Sequence, residues 1–349
     1  MRLELPLYCF LSRLPKWQQY YVWCLQKRCY TLSNFAHAIS RGHQSALQTL
    51  PLKAFLAEVA LDLKWQQQDH QHIIAFEDEH YPSLLRTIDD PPAVLYVKGQ
   101  PETLSQPCIA MVGARKASPM GTETAEAWAK HFAEQGLNIC SGLAYGIDAA
   151  AHSGANKAAQ PSIAVMPAGL AHITPQRHQS LANSITNHGA LISELAPKTP
   201  PRPFHFPKRN RLISGMSLGT LVVEAQRPSG SLTTAWHALN QNRPLMAIPG
   251  AIHHQLAQGC LGLIQQGAFC VIQPTEVLTL LNMPQAIQSM AKPPMKNCLV
   301  LNAIDFARTT LNTIARRTQH PIPKLLPILS RLHLSGHIHP WQQGWMRIK

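Results

Sequence analysis

The sequence has few acidic residues, no long apolar run and no pattern of an export signal. Its 18 Asp and Glu residues are outnumbered by 31 Lys and Arg residues, which gives a formal net charge of +13. No run of about 18 apolar residues occurs, and Glu4 and Pro6 interrupt the segment where a signal peptide needs an apolar stretch. We therefore expect a cytoplasmic protein, with no membrane partner, that binds nucleic acid or another polyanion.

Cysteine pairs and the glycine motifs of nucleotide-binding enzymes are also missing. None of the eight cysteines forms a Cys-x-x-Cys pair, and several lie in apolar runs, as small buried side chains do in a reducing compartment. His253 and His254 lie near Cys260, but no further ligand follows at a metal-site spacing, so no metal is predicted. Gly-x-Gly-x-x-Gly and Walker sequences are absent, and no cofactor is predicted.

The pattern of apolar and polar residues predicts three domains and a linker. Residues 1–70 contain repeated helix-compatible segments, and residues 71–281 alternate between strand and helix patterns. Residues 282–296 hold three prolines and no sustained apolar pattern, which suits a linker. Residues 297–349 are basic and read as two helices and a β-hairpin, so we predict a winged-helix-like domain; a basic helical tail that contacts protein fits nearly as well.

The middle domain carries the clearest fold signal. Short apolar runs separated by helical stretches indicate a parallel sheet covered on both faces, which is an extended Rossmann-like, doubly wound α/β fold. Ligands bind such sheets at the carboxyl ends of the strands. The predicted strands are residues 73–76, 93–97, 108–112, 137–140, 162–166, 190–193, 220–225, 245–248 and 269–273.

Two loops that follow predicted strands contain glycines and groups able to hold DNA. In the first, Gly113 permits close backbone approach, and Arg115 and Lys116 can neutralise a phosphate near a helix N-terminus. In the second, Gly142 lets backbone N–H groups face an anion, and Tyr145 can stack a base. The alternative for the first loop is a surface turn with two solvated cations.

The segment 203–211 is the strongest local signal for a phosphate-bearing chain. It belongs to a stretch, residues 195–223, that contains no acidic residue. The expected roles are phosphate contact by cations, stacking on a ring and an amide hydrogen bond. The alternative is a solvated basic loop anchored by its phenylalanines. The residues concerned are Lys208, Arg209 and Arg211 as cations, Phe206 or Phe204 as the ring, and Asn210 as the amide.

A third loop, at Ser229, Gly230 and Ser231, enters a helix and offers hydroxyl and N–H donors to another phosphate. Glu224, which precedes it, could be a catalytic carboxylate. Because no matched second carboxylate accompanies it, we favour a structural role and predict no catalytic residue. His152 is interpreted as a packing or hydrogen-bonding residue of the helix that contains it.

With these motifs in view, the chain resembles the DprA (Smf) family of DNA-processing proteins. The matching segments follow one another in the family's order and cover residues from about 100 to 275. They read VGARKASP at 112–119, SGLAYGIDAAAH at 141–152, FPKRNRLISG at 206–215 and SGSLTTA at 229–235.

The resemblance implies a non-catalytic, cytoplasmic, usually dimeric protein. Such proteins bind incoming single-stranded DNA during natural transformation and load the recombinase RecA. Their helical (SAM-like), Rossmann-like and winged-helix domains agree with the three predicted here. Family DNA contacts fall on Arg115 and residues 208–211, with the loops at Gly142 and 229–231 beside them. Tyr145 is a departure, since members commonly carry arginine there.

The predicted mechanism is electrostatic capture of the strand. Neutralising about four phosphates would cost roughly fiftyfold in affinity between 50 and 200 mM salt. One alternative is a Rossmann-like enzyme similar to nucleoside-monophosphate phosphoribohydrolases, with Glu224 as the catalytic acid or base. Another is a regulator that binds duplex DNA through residues 296–349 alone. The cations expected to capture the strand are Arg115, Lys208, Arg209 and Arg211.

Overall fold

The computed structural model describes residues 2–40, 52–283, 299–305, 309–334, 337–341 and 344–347. The chain forms two compact units, Met1–Gln285 and Ala286–Lys349. None of the described helices combines the length and the apolar character that crossing a membrane requires.

A nine-stranded sheet forms the centre of the first unit. Its strands lie in the order β1-β2-β6-β5-β4-β3-β7-β8-β9, and all neighbours from β6 to β9 are parallel. β2 is antiparallel to both β1 and β6, which extends the parallel sheet at one edge. The doubly wound, mostly parallel α/β fold is thus confirmed. The strands are β1 Gln71–Ala75, β2 Val94–Gly99, β3 Cys108–Val112, β4 Asn138–Ser141, β5 Ser162–Val165, β6 Ala190–Ser193, β7 Thr220–Val222, β8 Leu245–Ala247 and β9 Phe269–Cys270.

The strand order reverses between β3 and β7, so the loops that follow these two strands diverge and leave a crevice. β7 is shorter than the run predicted at 220–225. Val223 N still donates to Val112 O of β3 at 3.1 Å, but Ala225 N donates to Leu256 O at 2.7 Å, so the chain has left the sheet by Ala225. An apolar run therefore does not by itself mark where a strand ends.

Helices cover both faces of the sheet. They are α1 Leu5–Leu11, α2 Trp17–Lys27, α3 Leu32–Ser40, α4 Leu52–Gln66, α5 Ser83–Arg86, α6 Pro119–Glu134, α7 Ile147–Lys157, α8 Gln179–His188, α9 His205–Met216, α10 Gly230–Asn240, α11 Gln258–Gln265 and α12 Pro274–Leu280. α6 buries Ala125, Ala129 and Phe132 against the sheet, which is the face its i, i+3, i+4, i+7 spacing predicts. It begins at Pro119 because the Ser118 side chain accepts a hydrogen bond from Gly121 N.

Helices α1 to α4 pack on one face of the sheet through a continuous apolar core. Tyr8, Phe10 and Phe35 belong to the same buried cluster as Ile73 and Tyr96 of β1 and β2. A buried polar contact joins the same parts: Asp62 lies 2.6 Å from Arg13 Nη2 and accepts from Tyr96 Oη at 2.6 Å. These helices lie within the first compact unit, and a domain boundary at residue 70 stays a prediction.

The described residues of the second unit form three helices and three strands, and their assignment to a winged-helix-like domain stays a prediction. Its described elements are α13 Leu299–Asn302, β10 Thr309–Thr310, α14 Leu311–Thr318, α15 Ile322–Leu334, β11 Ile338–Trp341 and β12 Gly344–Arg347. The three strands form an antiparallel sheet in the order β10-β12-β11. Its core includes Val300, Ile314, Leu325 and Leu329. Residues 284–296 of the predicted linker lie outside the described residues.

Candidate nucleic-acid interface

A cleft of about 730 Å³ opens at the carboxyl edge of the sheet, where the strand order reverses. The loops after β3 and β7, helix α9 and the start of α10 form its walls. The predicted site residues that line it are Gly113, Arg115, Lys116, Phe206, Arg209, Asn210, Ser229, Gly230 and Ser231. Among its lining residues, Gln226 and Thr233 were not expected from sequence; only their place beside the predicted loops pointed to them.

The loop after β3 carries the exposed cations of the cleft. A Cβ at Gly113 would overlap the Ile147 side chain and the carbonyl oxygen of Glu224, so this position needs glycine. Arg115 and Lys116 are exposed. The guanidinium carbon of Arg115 lies 5.5 Å from the centroid of the Phe206 ring, within the range of a cation–π contact. Phe206 therefore holds Arg115 in place and has one face occupied.

The start of α10 offers backbone donors to the same cleft. Ser229 caps the helix, and its hydroxyl accepts from Ser231 N at 3.3 Å and lies 2.7 Å from Ser231 Oγ. Asn210 donates to Gly230 O at 3.2 Å and so ties α9 to this turn. The first turn of α10 contains no acidic residue, so its free N–H groups and positive dipole end can attract an anion.

The segment predicted as a basic stretch is the first half of helix α9. Pro207 is tolerated there because it lies in the first turn, where backbone N–H groups have no helical partner. A helix directs neighbouring side chains to different faces, so the cations of this segment do not form one surface. Phe204, just before the helix, has 61% of its surface exposed and is the ring here that is open to a base.

Arg209 lies inside the protein, which corrects its predicted role as a phosphate contact. It is 5% exposed, and its Nη1 donates to Gly142 O at 2.9 Å and to Val165 O. Burial lowers the pKa of Arg209 to about 10, so it stays protonated at neutral pH. Asp148 faces it and accepts from Gly142 N at 3.1 Å and Ala144 N at 3.4 Å. Burial raises the pKa of Asp148, while the charge of Arg209 opposes that shift.

Arg211 is also held by internal partners. Its side chain is 9% exposed, and Nη2 lies 2.5 Å from Glu194 and 3.3 Å from Asp90. Lys208 is 52% exposed, with its Nζ 3.8 Å from Glu194. Lys208 and Arg211 line a separate cleft of about 410 Å³ that also includes Trp17. Of the predicted capture cations, Arg115 and Lys208 remain exposed, and they lie on different sides of α9.

Comparison with known proteins identifies the family of the chain that forms this cleft. The sequence profile of the family described as DNA recombination-mediator protein A matches residues 72–282. Protein Smf of Escherichia coli K12 is 37% identical over 299 residues, which is 82% of this chain and 80% of that protein. The chain belongs to this family.

Other relatives and solved structures agree with that membership. DNA processing protein DprA of Bacillus subtilis is 42% identical over 196 residues, 56% of this chain and 66% of that protein. The X-ray structure of Streptococcus pneumoniae DprA matches with a TM-score of 0.65 and 31% identity, over 80% of this chain and 98% of that one. Helicobacter pylori DprA, described for its single-stranded DNA binding mode, matches with a TM-score of 0.55 and 26% identity, over 61% of this chain and 97% of that one.

The Glu224 side chain of this DprA family member contacts the N-terminus of α6. Its carboxylate accepts hydrogen bonds from Ser118 N at 2.9 Å and Ser118 Oγ at 2.5 Å, at the residue that caps α6. Cys260 is fully buried, whereas His253 and His254 are exposed. Within the described parts of the chain, no three His, Cys, Asp or Glu side chains gather into a possible metal site.

His152 of α7 is fully buried, as its interpretation as a packing histidine requires. Its Nδ1 lies 3.2 Å from Ser162 Oγ, and burial lowers the pKa of the ring to about 3. The His152 ring is therefore neutral in the folded protein at neutral pH. In the unfolded chain an ordinary histidine accepts a proton near pH 6.5.

The free energy of unfolding is expected to fall as the pH drops below 6.5, because only the unfolded chain then protonates His152. The stability from the neutral ring is present above pH 6.5 and is lost towards pH 3. Between pH 7 and pH 5 the loss attributable to this residue is about 2 kcal/mol. Urea unfolding of the wild type and of His152→Gln measures it, since the variant lacks this contribution. Equal pH dependence in the two proteins would contradict the assignment.

Proposed function

We propose that this protein binds single-stranded DNA without catalysis, with the strand's phosphates in the cleft at the strand-order reversal. The observation that carries the proposal is the position of Arg115. Its exposed guanidinium is held against Phe206 and shares the cleft with the N-terminus of α10. The binding of single-stranded DNA by the Helicobacter pylori relative supports the same function.

The expected contact set is smaller than the sequence alone suggested. Arg209 and Arg211 are bonded within the protein, which leaves Arg115, Lys116 and Lys208 as the exposed cations among the predicted site residues. Three neutralised phosphates correspond to a loss of roughly twentyfold in affinity between 50 and 200 mM salt, in place of fiftyfold. Fluorescence anisotropy with a labelled dT oligonucleotide measures this dependence. Binding that is insensitive to salt would contradict the proposal.

Deletion of residues 286–349 is expected to leave binding of a dT oligonucleotide largely unchanged, because the cleft belongs to the first unit. The measurement compares single-stranded and duplex oligonucleotides on the full and the truncated chain. Loss of all binding on truncation would instead favour a site for duplex DNA in the second unit.

The absence of catalysis is supported by the contacts of Glu224. A general acid or base must reach the substrate, but this carboxylate is engaged by the backbone and hydroxyl of Ser118. We therefore expect no release of base from nucleoside monophosphates. Activity that is lost in Glu224→Gln would instead support the enzyme alternative.

We further propose that the protein is a dimer that uses the exposed edge of the sheet near β9. Phe269 lies on this edge strand with 49% of its surface exposed, and Ile252 and Ile272 are 68% and 65% exposed. Phe269→Glu is expected to shift the protein to a monomer in sedimentation velocity, because a dimer would bury the new charge. Phe269→Leu is the control. An unchanged dimer in the glutamate variant would contradict this interface.

We also propose that the protein loads RecA onto the bound strand, in the cytoplasm of a naturally transformable cell. Its support is the family's description as a recombination mediator. The measurement is the lag before RecA hydrolyses ATP on single-stranded DNA that this protein already covers. A lag longer than that on free DNA would contradict loading.

A further inference from the structure

Tyr145 is an exposed aromatic ring in the loop between β4 and α7, and we propose that it stacks a base of the bound strand. The inference rests on the proposed function, since it adds a base contact to a strand held by its phosphates. The Tyr145 side chain has 43% of its surface exposed. β4 is the parallel neighbour of β3, so its loop leaves the same edge of the sheet as the loop of Arg115.

The loops of Tyr145 and Arg115 are in direct contact. Ile147 N donates to Ala114 O at 3.3 Å. Gly146 has a φ of +75°, and a Cβ there would overlap the carbonyl oxygens of Ala114 and Arg115. Ala144, the residue before Tyr145, lines the phosphate cleft. A strand that leaves the cleft past Arg115 therefore passes beside the Tyr145 ring.

The backbone of the Tyr145 loop is held in place before any strand binds. The buried Asp148 carboxylate accepts from Gly142 N and Ala144 N, and Arg209 bonds Gly142 O from the other side. An ordered loop loses little conformational entropy when a base stacks on its side chain. The hydrogen bonds of Asp148 and Arg209 thus position the loop that carries Tyr145.

The ring itself has a support and an open face. It contacts the His178 ring at a centroid distance of 4.8 Å and an interplanar angle of 73°. His178 is fixed in turn, with Nδ1 2.8 Å from Leu143 O. A perpendicular contact occupies at most one face of the tyrosine, so a base can stack on the other. Phe206, whose face Arg115 covers, is less suited to this role.

Stacking on an uncharged ring has a different signature from phosphate contact. Stacking needs a base, whereas a phosphate contact does not. Charge neutralisation changes the dependence of affinity on salt by about 0.7 per phosphate, and stacking leaves that slope unchanged. The two contributions can therefore be separated with one set of oligonucleotides.

The test measures binding of a dT oligonucleotide and of an abasic strand of equal length by fluorescence anisotropy. Tyr145→Ala is expected to weaken dT binding by about tenfold, with the salt slope and the affinity for the abasic strand unchanged. Tyr145→Phe keeps the ring and is expected to stay within about twofold of wild type. Trp236→Ala is the matched control: this ring is 51% exposed but lies on α10 outside the cleft.

Two results would overturn the inference. An equal loss on the dT and abasic strands in Tyr145→Ala would mean that the ring supports the loop and contacts no base. Wild-type affinity for dT in Tyr145→Ala, with a loss in Arg115→Ala, would reject stacking while leaving the proposed function in place. If the wild type bound neither strand, the proposed function would fail as well.

Discussion

Arg115→Ala is expected to weaken binding of a dT oligonucleotide by about tenfold to a hundredfold. Hydrogen bonds to charged groups contribute roughly 1.5–3 kcal/mol, and the cation–π contact that orients the guanidinium is lost with it. The slope of log affinity against log salt should fall by about 0.7. Because Arg115 is exposed, the free energy of unfolding should change by less than about 0.5 kcal/mol.

Lys130→Ala is the matched control for the loss of one positive charge. Lys130 is 49% exposed and lies on α6 outside the cleft, 3.6 Å from Glu134. We expect less than a twofold change in affinity for this variant, because Lys130 does not line the cleft. Equal losses in Arg115→Ala and Lys130→Ala would mean that overall charge, and not this cleft, attracts the strand.

Arg209→Ala is expected to lower the free energy of unfolding by about 3–5 kcal/mol, whereas Lys208→Ala should change it by less than about 0.5 kcal/mol. Loss of Arg209 removes the larger of the two positive charges that act on the buried Asp148 carboxylate, and it leaves two carbonyl oxygens without this donor. Lys208 is half-exposed and has only a distant contact with Glu194. Urea unfolding at pH 7 measures both variants.

The same pair of variants separates two roles that look alike in sequence. Lys208→Ala should lower the salt slope of DNA binding by about 0.7 in a stable protein. Under conditions where the protein is still folded, Arg209→Ala should reduce binding because it disturbs the loop that contains Gly142 and Tyr145. A stable Arg209→Ala protein with a reduced salt slope would restore the predicted phosphate contact.

The secondary structure of the sheet could be predicted because its strands are nearly continuous apolar runs. The run at 108–112 coincides with β3, and that at 190–193 with β6. The run at 220–225 extends three residues beyond β7, since Val223 and Ala225 are buried although they follow the end of the strand. Burial in a loop and burial in a strand select the same residue types.

The cations of residues 208–211 show which part of the site could not be predicted from the sequence. All three basic residues have the same charge and the same neighbours in sequence, and nothing local indicates which of them faces a carboxylate. Arg209 is matched with Asp148 and Arg211 with Glu194, across sequence separations of about 61 and 17 residues. Only the folded chain brings these partners together.

The sequence by itself determined the fold class, the family and the loops that surround the cleft, because apolar runs and glycine-rich turns are local patterns. The tertiary structure decided which residues are available to DNA. It turned Arg209 and Arg211 inwards, placed Arg115 on Phe206 and left Tyr145 exposed in the neighbouring loop. One physical reason is that the partners that decide whether a charged side chain is buried or exposed are remote in sequence. The other is that α9 directs adjacent side chains to two different clefts, Arg209 to the larger one and Lys208 to the one that includes Trp17.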